Sequence, residues 1–214
     1  MEGAVKMKTT SMAIVILLMA AVGFAAADSA RLPEPVGTVP SDDDLTYFDG
    51  TAWWLSWDGL YRGTWFNTAD FYGYSYYISV EESEMWFYHH SSYPWDTSDV
   101  YFEVYKGNQM APNELLEQRE TTATHYSAVV VDHGSLYVED NFWLMANTEF
   151  SSGGWPSLLG DNSPNEADHS FFSDDFSEWE PWILQGPTAN DYWIMATIGW
   201  SLESETWGSI KALY

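Results

Sequence analysis

Large residues recur at every second position through most of this chain, the spacing that sets one face of an extended strand against a core and the other toward water. In YSYYISV, Tyr74, Tyr76, Ile78 and Val80 fall on one side and Ser75 and Ser79 on the other. VYFEVYKG sets Val100, Phe102 and Val104 against Tyr101, Glu103 and Tyr105. Phe142, Leu144, Ala146 and Thr148 share a face, as do Tyr192, Ile194, Ala196 and Ile198, and as do Trp53, Leu55 and Trp57. HYSAVVVDHG adds consecutive β-branched residues, which favour strands. MWFYHH reads as a further aromatic strand, set off by an acidic turn at Glu81 and Glu82. Asp49-Gly50 and Asp58-Gly59, each between aromatic runs, predict tight hairpins. Helical periodicity is almost absent; NQMAPNELLEQ, interrupted by Pro112, reads as an irregular connector into a strand through Leu115 and Leu116.

The pattern predicts an all-β fold, a two-sheet antiparallel β-sandwich, jelly-roll-like, with long loops and little or no helix outside the N-terminal segment. The longest loop follows the Phe142 strand and runs to Trp182, rich in Gly, Pro, Asn, Asp and Trp. Loops of that length are uncommon without a function, so a binding site is expected there.

The N-terminus adds a destination. Lys6 and Lys8 precede an apolar stretch, residues 12–24, that closes on Ala25-Ala26-Ala27. This order predicts a secretory signal peptide over residues 1–27, too short to span a bilayer, and hence a secreted, extracellular protein. Residues 28–44, with Pro33, Pro35, Pro40 and three consecutive aspartates, read as an extended Pro/Asp-rich leader. A sharper reading is an arm that adds a strand to a neighbouring subunit. Residues 45–214 are left for the sandwich domain.

Charge and cysteine content narrow the partners. The 214 residues carry a formal net charge of −25. Loss of the signal peptide, with Lys6, Lys8 and Glu2, makes it −26. Such a surface repels phosphate backbones and anionic lipid, so nucleic acid and membrane are not expected partners after signal cleavage. There is no cysteine, so stability must come from the core and from any bound ion.

Four stretches together carry a resemblance: TYFDGTAWWLSW, YFEVYKGNQMAPNELLEQ, DNFWLMANTE with PSLLGDNSPN, and DYWIMATI. Their order resembles the jelly-roll-type β-sandwich modules of large secreted bacterial proteins, similar in layout to carbohydrate-binding and MAM-like adhesion domains. It spans about residues 44–199. The resemblance implies a binding module rather than an enzyme.

The residues that would carry binding are tryptophans outside the alternating strands, next to carboxylates or amides: Trp95 with Asp96, Trp155, Asn162, Trp179 and Trp182. A flat ring accepts the apolar C–H face of a sugar, and adjacent oxygens accept from its hydroxyls. The oxygen-rich loops GDNSPNEAD and SDDFSE offer Asp161, Asp168, Asp174 and Asp175 as ligands for a structural Ca²⁺, without EF-hand spacing. His89, His90, His125, His133 and His169 match no zinc spacing. No Gly-x-Ser-x-Gly elbow occurs. The acidic pairs Glu82/Glu84 and Glu178/Glu180 are the only hint of a jelly-roll glycosidase. The expected function is therefore non-catalytic recognition of a glycan or extracellular surface ligand through loop tryptophans. The alternative is a self-assembling subunit of an extracellular fibre or surface layer.

Overall fold

A computed structural model describes residues 29–31, 43–49, 54–75, 77–161, 168–183 and 190–200. The predicted signal peptide, most of the leader, Gly50 of the first Asp-Gly pair and Asn162 lie outside the described residues. The described chain is an antiparallel β-sandwich, as the alternation predicts. A six-stranded sheet holds β12 (Glu180–Pro181), β11 (Ser170–Ser173), β4 (Tyr61–Asn67), β9 (Asn141–Asn147), β6 (Asp99–Asn108) and β7 (Ala111–Thr122), in that order. A four-stranded sheet holds β2 (Asp44–Leu45), β13 (Ile194–Trp200), β5 (Ile78–Trp86) and β8 (Ala128–Val138). Between them lies the main core, where Val100, Phe102, Val104, Phe142, Leu144 and Ala146 meet Val80, Met85, Val131, Ile194, Ala196 and Ile198.

Two further apolar clusters make the molecule thicker than two layers. A small sheet of β1 (Ser29–Arg31), β3 (Trp54–Ser56) and β10 (Leu158–Gly160) contributes Leu55 and Leu159 to a cluster with Trp86, Trp193 and Met195. On the far face of the six-stranded sheet, Trp143 and Met145 pack with Phe171, Phe176 and Trp179. Both faces of β9 are thereby buried, whereas the sequence pattern predicts a single buried face; the aromatic segment that returns over the sheet covers the second.

Several local expectations are corrected. Asp58-Gly59 is not a hairpin: β3 and β4 belong to different sheets, and the turn carries the chain from one layer to the next. Glu81 and Glu82 do not turn the chain either; β5 runs through them with a register shift opposite β8, and Glu81 accepts from Ser79 and Ser135. NQMAPNELLEQ forms the β6–β7 hairpin and the long strand β7. Pro112 is tolerated there because β7 is an edge strand with one free side. Tyr74 precedes rather than joins β5, after a one-turn helix α1 (Thr68–Tyr72) capped by the Asn67 side chain and by Gly73 in the left-handed region. The expected long loop from Phe142 to Trp182 contains β10, β11 and β12. Within the expected leader, Ser29–Arg31 is extended and pairs antiparallel with β3 of its own chain.

Candidate functional site

Three connections meet at one end of the sandwich: residues 57–60 after β3, residues 87–98 after β5, and residues 148–157 after β9. Each delivers an aromatic ring. Trp57 stacks on Tyr93 with centroids 4.8 Å apart and lies 5.2 Å from Trp155 at 32°. Tyr93 is 37% exposed, Trp57 and Trp155 are half-buried, and Asp96 is exposed beside them.

Buried polar groups fix the loops that carry these rings. Arg62 projects from β4 into the interior and is fully buried. Its guanidinium donates to the Ser56 carbonyl and, at 2.9 Å, to the Pro156 carbonyl, so one side chain ties the base of the Trp57 loop to that of the Trp155 loop. Burial lowers its pKa to about 10, which still leaves it charged at neutral pH. Ser157 links the other two loops: its hydroxyl accepts from Trp95 Nε1 at 3.0 Å and donates to the Tyr88 carbonyl at 2.7 Å. Asp96 accepts from the Ser152 amide at 3.4 Å. Gly154, at φ +72°, lies so close to Trp57 that an added Cβ would come 2.2 Å from the Trp57 carbonyl oxygen.

Of the sequence-predicted ligand residues, the structure brings Trp95, Asp96 and Trp155 together. Trp95 serves mainly as packing, with its ring against the core and the edge of His89 5.3 Å away. Trp179 is half-buried on the far face of the six-stranded sheet, 5.2 Å from Trp143, and does not join this end. Trp182 is corrected outright: it is fully buried, stacked 4.6 Å from Tyr192, with its ring lying on Gly160. Trp57 and Tyr93 join this cluster although the sequence pattern does not single them out. Trp57 extends the alternation of its strand and so reads as core, although β3 ends one residue before it.

The expected calcium ligands do not converge. Asp161 is buried, and accepts from the backbone amides of Asp49 at 3.1 Å and Asp191 at 3.3 Å. Desolvation first, then the neighbouring Asp191, raises its pKa to about 7. Asp168 is exposed. Asp174 and Asp175 are exposed and line an open acidic cleft of about 350 Å³ with Glu178 and Glu180. Among the described residues no three His, Asp or Glu side chains form a group that could hold a metal.

Two polar constellations that no sequence motif announces have catalytic composition. Ser83, His133 and Glu117 form a hydrogen-bonded series, with His133 Nε2 2.8 Å from Ser83 Oγ and Nδ1 2.5 Å from Glu117. Ser83 is 1% exposed and the His133 side chain is fully covered; the series ties the four-stranded sheet to β7. Glu103 and Glu149 share the Asn147 amide, at 2.9 and 3.5 Å, but the Glu103 carboxyl is likewise covered.

No family model matches this chain, and no curated protein does. Among solved structures, a match is found to the cysteine protease and lectin-like domains of Cwp84, a surface-layer-associated protein of Clostridium difficile. The two share 12% identity at a TM-score of 0.49, over 77% of this chain and 37% of that one. Neither ligand nor activity follows from likeness at that level.

Proposed function

We propose that this protein is a secreted, non-catalytic binding module whose aromatic end, Trp57, Tyr93 and Trp155 beside Asp96, recognises an uncharged glycan. The observation that carries the reading is the convergence of three rings from three separate loops at one end of the sandwich, on bases clamped by the buried Arg62. Rings that served only to seal the sandwich would be covered, as Trp182 is; Tyr93 instead remains open to solvent. Stacking supplies apolar contact with a sugar ring, and the Asp96 carboxylate accepts from hydroxyls. The net charge of −25 disfavours uronic and sialic acids and leaves neutral sugars as the preferred class.

A glycan array probed with wild type, Tyr93→Ala and Trp155→Ala tests this. Wild type should retain neutral oligosaccharides, and each variant should bind them at least about tenfold more weakly at unchanged melting temperature, the equivalent of one lost ring contact. Variants that retain every wild-type ligand at full strength defeat the reading.

A further inference from the structure

We propose that protonation of His90 and His125 loosens the Tyr93 arm of the aromatic cluster, so that the site opens on acidification. The functional meaning of this loosening rests on the cluster being the ligand site; the loosening itself does not.

The chain between Phe87 and Tyr93 is anchored in two ways. Its upstream end is held by bonds without a titrating partner. The Phe87 carbonyl accepts from the Tyr126 amide at 2.7 Å, and the Tyr88 amide donates to the Ser157 carbonyl at 3.2 Å. Further along, both side-chain anchors are imidazoles. The His89 amide donates to His125 Nδ1 at 3.0 Å, and the Ser92 amide donates to His90 Nδ1 at 3.1 Å, inside the turn closed by Tyr93 N–H on the His90 carbonyl at 2.9 Å. A ring nitrogen that accepts an amide proton must keep its lone pair, so both rings are held neutral with the proton on Nε2. A second proton can enter only at Nδ1, where it turns each acceptor into a donor facing an N–H. Each protonation removes one bond, and with both gone the turn that holds Tyr93 against Trp57 is left on the Tyr93 N–H bond to the His90 carbonyl.

The surroundings leave this chemistry to the two rings. His125 packs on Tyr88 at 4.6 Å and Tyr126 at 6.2 Å, and sits beneath the backbone of His89. His90 packs on Tyr88 at 6.4 Å and Tyr93 at 5.3 Å, and the His89 ring meets Trp95 at 5.3 Å. These ring contacts are phenols and an indole, and no ion pair joins either ring to a carboxylate among the described residues. His125 is exposed and His90 half-exposed, so protons reach both from solvent.

The test is a pH titration of near-ultraviolet circular dichroism and tryptophan fluorescence on the full chain without ligand, from pH 8 to pH 5. Wild type should change its signal across this range. The double variant His90→Asn, His125→Asn places an amide oxygen close to each Nδ1 position, an acceptor that does not titrate. It should change distinctly less than wild type between pH 8 and pH 5, and each single variant should remove part of the difference, which covers the case of a double variant that folds poorly. A flat wild-type signal, or variants that titrate like wild type, overturns the proposal. Because this readout needs no glycan, an array without ligands leaves the gate standing, and glycan binding with no spectroscopic titration removes the gate alone.

Discussion

Glu103 departs as far as any single residue from its sequence pattern. It alternates with the core positions Phe102 and Val104 on β6 and so reads as solvent-facing, yet it is 2% exposed, because the aromatic layer over the six-stranded sheet closes above it. One carboxylate oxygen accepts from Gln118 at 2.6 Å and Asn147 at 2.9 Å; the other makes no hydrogen bond of ordinary length. Desolvation outweighs these donors and raises its pKa. A carboxyl raised in the folded state stabilises folding only while protonated, and the contribution is lost as pH rises from its unfolded value through its folded one. Glu103→Gln keeps the accepting oxygen and removes the charge. It should stabilise the fold by roughly 1–2 kcal/mol at pH 8 and by little at pH 4, as measured by denaturant unfolding at the two values. The tryptophans follow the same rule. Trp155 and Trp182 stand in equally polar sequence surroundings, and only the third dimension separates a half-open ring from a core ring.

At the level of elements, alternation locates β6, β9 and β13 because each has an inner face of large apolar residues, and the β-branched run Val129–Val131 locates β8. It fails at connections. Asp-Gly predicts a reversal, but whether the next strand pairs with the last or crosses to another sheet depends on long-range packing that no local dipeptide encodes. The irregular strand β7 is hidden by Pro112, whose missing N–H matters only if a neighbour needs it. The loop 148–157 is equally opaque in sequence, although its geometry is exacting. Gly154→Ala would force a side chain into the left-handed region and against the Trp57 carbonyl, at a cost of roughly 2 kcal/mol or more. The expected result is a lower melting temperature together with an altered near-ultraviolet spectrum from the Trp57 and Trp155 rings.

For the whole molecule, acidity is legible from composition, whereas the places where it is buried are not. Self-repulsion among 32 acidic against 7 basic side chains opposes compaction, so raising NaCl from about 10 mM to about 0.5 M should raise the melting temperature. Asp161 adds a pH dependence that salt screens poorly. Its folded pKa of about 7 lies above the ordinary carboxyl value, so its stabilising share is full at low pH, declines as pH rises, and is gone above pH 7. His169, stacked 3.5 Å from Tyr47, acts oppositely: burial lowers its pKa, and stability is lost as pH falls below the ordinary histidine value. Asp161→Asn isolates the first effect, because the amide keeps an accepting oxygen and does not titrate. Measured by denaturant unfolding at high salt, its stability relative to wild type should climb between about pH 4 and pH 7 and stay level above that.

Which end of the sandwich meets a ligand is read directly by hydroxyl-radical footprinting. With an array-selected neutral oligosaccharide bound at pH 7.5, Trp57, Tyr93 and Trp155 should gain protection while Trp179 keeps its reactivity. Protection centred on Trp179 and the acidic cleft, or none at the three-ring end, would contradict the assignment of the aromatic end as the binding site.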